Sequence, residues 1–188
     1  MSTGSRRAIL WFAITGVATA CLVACAGKPV RPPSMPLLRL SPAQLSATLA
    51  LQQKLTITSR GQIREVELLL EADAQAVRLA AVDLGQTAVR LEWDGTTLTQ
   101  SRAPWWPEAI SSERILSDLQ LMLWPAAAIA AALPAGWALE TDAAGRTLNH
   151  QGMPVARVSW LGKTVSELDH YVDGYRIRVE SRAVEGSP

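Results

Sequence analysis

Hydrophobic and polar positions follow two periods along this chain. Ser41-Pro42 opens a short helix, with Ser as N-cap and Pro at the first helical position. Leu45 and Leu49, four apart, share a face of it. The period then changes to two. Leu51, Leu55 and Ile57 alternate with Gln52, Lys54, Thr56 and Thr58, and Val66, Leu68 and Leu70 alternate with Glu65, Glu67 and Glu71. Val77, Leu79 and Ala81 follow, then Val89, Leu91 and Trp93 against Arg90, Glu92 and Asp94. Turn signals stand at Arg60-Gly61, Gly85 and Asp94-Gly95, so the pattern predicts an antiparallel meander with one wet and one dry face.

Pro104-Trp105-Trp106-Pro107 interrupts the alternation. Beyond it, Ser111 or Ser112 caps a helix whose apolar stripe is Ile115, Leu116, Leu119, Met122 and Leu123. Ser112, Glu113, Ser117, Asp118 and Gln120 mark the opposite, polar side. Trp124-Pro125 ends this helix, and residues 126–133 form a second. Strands resume at Trp137 and Leu139, then at residues 146–149, 155–161 and 165–172, and in the alternation of Tyr175, Ile177 and Val179. The order is helix, about five strands, two helices, about five strands. A long antiparallel sheet with sequential strands curls. The expected class is therefore α+β and mainly β: an unclosed barrel of about ten to eleven strands with a helical lid on its concave side.

The first residues carry a separate message. Arg6 and Arg7 precede an uncharged apolar run at residues 8–20, shorter than the roughly 20 residues of a bilayer crossing. Leu22-Val23-Ala24-Cys25 resembles the bacterial lipobox, after which residues 1–24 are a removed signal peptide and Cys25 is the lipidated residue. Three acyl chains on Cys25 would anchor the protein stably. Ala26 replaces the Asp that retains lipoproteins at the inner membrane, which points to a periplasm-facing anchor at the outer membrane. Residues 25–36, rich in Pro, read as an extended tether, and residues 37–185 as one domain. Cys21 and Cys25 are the only cysteines, so the mature domain holds no disulfide and no Cys-based site.

Composition narrows the function classes. Eighteen Lys and Arg against 17 Asp and Glu give no basic excess for a nucleic acid. The 48% apolar content supports a packed core. No G-x-S-x-G, H-E-x-x-H or phosphate-binding glycine loop occurs. Ser166, Asp169 and His170 lie too close along one strand to converge as a triad. His150 and His170 read as surface or rim residues, and no metal or cofactor is expected. With one Phe but seven Trp, the chain is rich in indoles. Trp93, Trp105, Trp106 and Trp124, with Leu119, Met122 and Leu123 of the helix, are the candidate lining of a hydrophobic ligand cavity. Trp137 and Trp160 are further candidates for core volume.

Two stretches carry a family resemblance. Leu84-Gly85-Gln86 with Arg90-Leu91-Glu92-Trp93-Asp94-Gly95, and residues 115–125 ending in Leu123-Trp124-Pro125, resemble an uncharacterised bacterial outer-membrane lipoprotein family, the domain of unknown function 3261. Its members are often encoded in aryl polyene gene clusters. The element order also looks like the carriers LolA and LolB. That likeness implies an open barrel over an apolar cavity and a membrane-insertion role for a loop leucine, here Leu84. The resulting expectation is a non-enzymatic lipoprotein that binds a lipid or aryl-polyene lipid for transport or assembly at the outer membrane. The alternative is a scaffold for an envelope protein partner.

Overall fold

The computed structural model describes residues 31–107 and 110–184. The proposed signal peptide and Cys25 lie outside the described residues. Ten strands form one antiparallel sheet: β1 Leu49–Ser59, β2 Gln62–Ala72, β3 Val77–Asp83, β4 Gln86–Trp93, β5 Leu98–Arg102, β6 Trp137–Asp142, β7 Gly145–His150, β8 Met153–Trp160, β9 Val165–His170 and β10 Tyr175–Ala183. Their spatial order is β5-β4-β3-β2-β1-β10-β9-β8-β7-β6. The first and last strands pair from Leu51↔Ala183 to Ser59↔Tyr175 and join two five-strand meanders. β5 and β6 remain unpaired on their outer sides, so the sheet is not closed. Helices α1 Ser112–Leu123 and α2 Ala126–Ala132 lie between them in sequence.

Three hairpins have two-residue turns of one kind. Arg60-Gly61, Leu84-Gly85 and Gln151-Gly152 each place two successive residues at positive φ. That geometry matches the right-handed twist of the flanking strands. The pairing register puts all three at one end of the sheet, called here the turn end, together with the β9–β10 connection at residues 171–174. At the far end, side chains cap the turns. Asp94 Oδ1 accepts from the N–H of Thr96 and Thr97, both at 2.7 Å, and Asp73 and Asp142 act similarly.

Alternation sets the core. Val66, Leu68 and Leu70 of β2, Leu79 of β3, and Leu91 and Trp93 of β4 are buried, while Glu65, Glu67, Arg78, Arg90 and Glu92 face outward. Leu116, Leu119 and Leu121 of α1 join the same cluster. Each buried leucine contributes about 2 kcal/mol through removal of apolar surface from water.

Several sequence expectations change. The helix at Ser41-Pro42 is a single 3-10 turn, Pro42–Gln44, and Leu49 belongs to β1 rather than to a helical face. Residues 31–36 belong to the same compact unit as the strands and helices. Residues 31–36, read as tether, open a strap of residues 31–40 in which Met35, Leu38 and Leu40 are buried. The polar side of α1 does not meet water either. Ser112, Ser117, Asp118 and Gln120 are all buried; the strap supplies partners to Ser117 and Gln120, and β9–β10 to Asp118.

Candidate functional site

The strap and α1 run side by side from the turn end to the far end. Ser117 Oγ accepts from the Leu38 N–H at 2.9 Å. Gln120 Oε1 accepts from the Leu40 N–H, and Gln120 Nε2 donates to the Leu40 carbonyl, each at 2.9 Å. The buried Gln120 amide thus satisfies both backbone groups of a segment that has no strand neighbour. Trp93 Nε1 donates to the same Leu40 carbonyl at 2.7 Å, and Trp124 Nε1 donates to the Ser41 carbonyl at 3.1 Å. Two of the expected ligand-lining indoles therefore hold the strap instead of facing an opening.

The termini of α1 are closed by side chains. Ser111 Oγ accepts from Arg114 N–H at the start. At the end, Arg146 of β7 donates to the carbonyls of Leu121 and Trp124, at 3.3 and 2.7 Å. A cation there also meets the negative end of the helix dipole. Burial pushes the Arg146 guanidinium below its usual value, and its ion sits 5.4 Å from the Trp160 ring centroid. Trp160 itself is on the surface rather than in the core, and Trp137 is half-buried against His150.

A buried polar knot ties α1 to the sheet. His170 Nε2 lies 3.0 Å from Asp118 Oδ1, and Tyr175 donates its hydroxyl to Asp118 Oδ2 at 2.7 Å. The His170 and Tyr175 rings stack at 4.2 Å. Burial, then the neighbouring Asp118 carboxylate, pushes the Tyr175 hydroxyl far above its usual value, so it remains a donor. His170 Nδ1 is 3.6 Å from Asp173 Oδ2. The His170 side chain is fully buried, which corrects its reading as a rim residue. Asp169 points the other way, to Arg176 at 2.5 Å, so the Ser166, Asp169 and His170 constellation does not assemble. The periodicity of α1 puts Asp118 on its polar side and does not name its partner. The signal for His170 was parity: Leu168 and His170 are two apart on β9, hence on one face.

The other expected site residues divide. Trp106 and Leu119 are buried, Met122 and Leu123 are half-buried, and Trp105 is about half exposed. Leu84 stands at the tip of the β3–β4 hairpin. The buried face of the sheet is thus covered by α1 and the strap. A groove of about 550 Å3 lies on the outer face of β2–β5, among Leu69, Glu71, Arg78, Arg90, Glu92 and Ser101. Among the described residues no helix is long and apolar enough to cross a membrane, and no cluster of three His, Cys, Asp or Glu side chains is placed to hold a metal ion.

Residues 50–183 match the model of a family described as a protein of unknown function, DUF3261. A search of the curated proteins finds no match.

Proposed function

The chain belongs to the DUF3261 family, and from its open sheet and amino-terminal sequence we propose that it is a non-enzymatic lipoprotein of the outer membrane. In this reading Cys25 carries the anchor and the folded unit faces the periplasm. It binds a hydrophobic molecule, a lipid or an aryl-polyene lipid, for transport or assembly at that membrane. The observation that carries the reading is the lid. An apolar sheet face is open between β5 and β6 and is covered by a separate layer, α1 with the strap, rather than by a second sheet.

The described state is closed. Uptake therefore requires α1 to move, exposing Leu119 and the half-buried Met122 and Leu123 to the incoming chain. Each ligand methylene buried contributes about 0.8 kcal/mol. Opening breaks the Asp118, Gln120 and Arg146 hydrogen bonds, so only a long apolar chain offsets that cost. With no nucleotide-binding loop in the sequence, transfer runs down a gradient of affinity.

A second reading is a scaffold that binds an envelope protein and never opens. The packing of α1 and the strap into the sheet's core favours it. Native mass spectrometry of the full lipoprotein, gently extracted from its own bacterium, separates the two. Carriage gives a co-purifying lipid or polyene that is lost in Leu119→Asp and Met122→Asp variants. A ligand-free mass that takes up no added phospholipid contradicts carriage.

A further inference from the structure

The sheet has two free edges, β5 and β6, and they differ. α2 packs against β6, whose exposed charges, Glu140 and Asp142, are acidic. Among the described residues no backbone bond reaches the outer side of β5. The pairing shows which of its groups are free. The Asp94 N–H donates to the Thr97 carbonyl at 3.4 Å, and the Ala103 N–H donates to the Ala88 carbonyl at 2.8 Å. Residues of an antiparallel strand alternate between bonding to that neighbour and facing away from it. Thr99 and Ser101 therefore bond to β4, whereas the N–H and C=O of Leu98, Gln100 and Arg102 point away from the sheet.

The side chains beside this edge are cationic and border hollows. Register sets Arg90 between Ala80 of β3 and Ser101 of β5, both small. Arg90 and Ser101 border the groove of about 550 Å3 and also a second hollow of about 260 Å3, which Arg102 shares. No carboxylate lines the second hollow among the described residues. Other arginines on the strands have acidic partners: Arg78 with Glu92 at 3.4 Å, Arg157 with Asp142 at 3.2 Å, and Arg176 with Asp169. Arg90 and Arg102 are exposed and form no ion pair among the described residues. An edge with free backbone groups thus stands next to two cations whose counter-charge the described chain does not supply.

We propose that β5 accepts an extended acidic segment of a second protein as a further strand of the sheet. Main-chain bonds to Leu98, Gln100 and Arg102 supply affinity, and the side chains beside the edge supply specificity. Strands lie about 4.8 Å apart, so a residue paired with Ser101 has its backbone about 10 Å from that of Arg90. A glutamate there meets the Arg90 guanidinium across a residue too small to intervene. The next residue of the incoming strand sits opposite Arg102, so two successive acidic residues satisfy both cations. A cation on an edge strand also deters indiscriminate pairing. Arg102 repels a basic strand and favours an acidic one, which is selection by charge. The edge is separate from the buried face that α1 and the strap cover, so the inference stands whether or not a lipid enters there.

The probe is a short synthetic peptide of alternating Val and Thr around a central Glu-Glu, added to the full chain in detergent micelles. The expected result is saturable binding by calorimetry, with slowed amide exchange at Leu98, Gln100 and Arg102 and no change in β6. A Gln-Gln counterpart should bind about tenfold more weakly, the loss expected for hydrogen bonds to charged groups. The double variant Arg90→Glu, Arg102→Glu should reverse the preference and take a Lys-Lys peptide in place of Glu-Glu. Gln100→Pro keeps both cations and the bonds to β4 but removes one outward N–H, so it should lose the peptide. Equal binding of the Glu-Glu and Gln-Gln peptides, or an unreversed preference in the double variant, overturns recognition by Arg90 and Arg102. Unchanged binding by Gln100→Pro, or protection on another strand, overturns strand addition. No binding at millimolar peptide, or β5 amides already protected by a second copy of the chain, overturns the proposal as a whole.

Discussion

Asp118 and His170 meet at 3.0 Å inside the molecule, one from the helical layer and one from the sheet. Asp118 accepts a second bond from Tyr175. One carboxylate therefore holds α1 against both strands of a hairpin. Asp118→Ala leaves the His170 ring nitrogen and the Tyr175 hydroxyl buried without partners. A loss of about 3 kcal/mol is expected, from two unsatisfied groups at about 1–3 kcal/mol each. Tyr175→Phe removes only one bond and should cost about 1 kcal/mol. Urea unfolding of the full chain measures both. Equal midpoints for Asp118→Ala and the native chain would show that the knot contributes nothing.

The strap depends on Gln120. In Gln120→Leu the N–H and C=O of Leu40 lose that side-chain partner, while Trp93 still donates to the carbonyl. The loss should be about 2 kcal/mol, and it should be local. Hydrogen exchange at the Leu38 and Leu40 amides is expected to accelerate far more than exchange in β1 or β2. Uniform acceleration would mean that the strap and sheet open as one unit.

Much of the sheet was legible because alternation and hairpin chemistry agree. Glu65 to Glu71 on β2 give the wet and dry faces directly, and Asp94-Gly95 marks its turn. The second layer was not legible. Residues 31–40 have no period of their own and are rich in Pro, so nothing local shows that Leu38 and Leu40 are buried. The polar side of α1 misled for a related reason. Periodicity separates Asp118 and Gln120 from Leu119, but it does not say whether the polar partner is water or another segment. Trp93 and Trp124 read from the sequence as ligand lining, yet their indole N–H groups serve the strap backbone.

Gly145 is a strict position. A Cβ there would stand 2.0 Å from the Val158 carbonyl oxygen across β7–β8. Backbone cannot yield as a flexible side chain does, so Gly145→Ala should cost about 3 kcal/mol or more. Gly162→Ala, where nothing lies within 4 Å, is the control and should be near neutral. Thermal unfolding distinguishes them.

The far-end turns make stability fall in acid. The N–H groups of Thr97 and Thr96 hold the Asp94 carboxyl below its ordinary value of 3.8. Those of Ala76 and Gln75 do the same for Asp73. A depressed folded value means the contribution is complete above the unfolded value and is lost as pH falls through the folded one. Melting temperature should therefore drop below about pH 4, and Asp94→Ala should flatten part of that drop. An unchanged acid limb in Asp94→Ala would place the acid sensitivity elsewhere.

The most direct test of lipid handling asks whether the interior ever opens to a ligand. A photo-crosslinking amino acid replacing Leu119 or Leu123 of the full lipoprotein, activated in living cells, reports what touches α1. A lipid or polyene adduct at both positions, absent from the same probe at exposed Ala143, is the expected result. Adducts only to the protein's own sheet, under conditions of active envelope-lipid synthesis, would contradict carriage and leave the scaffold.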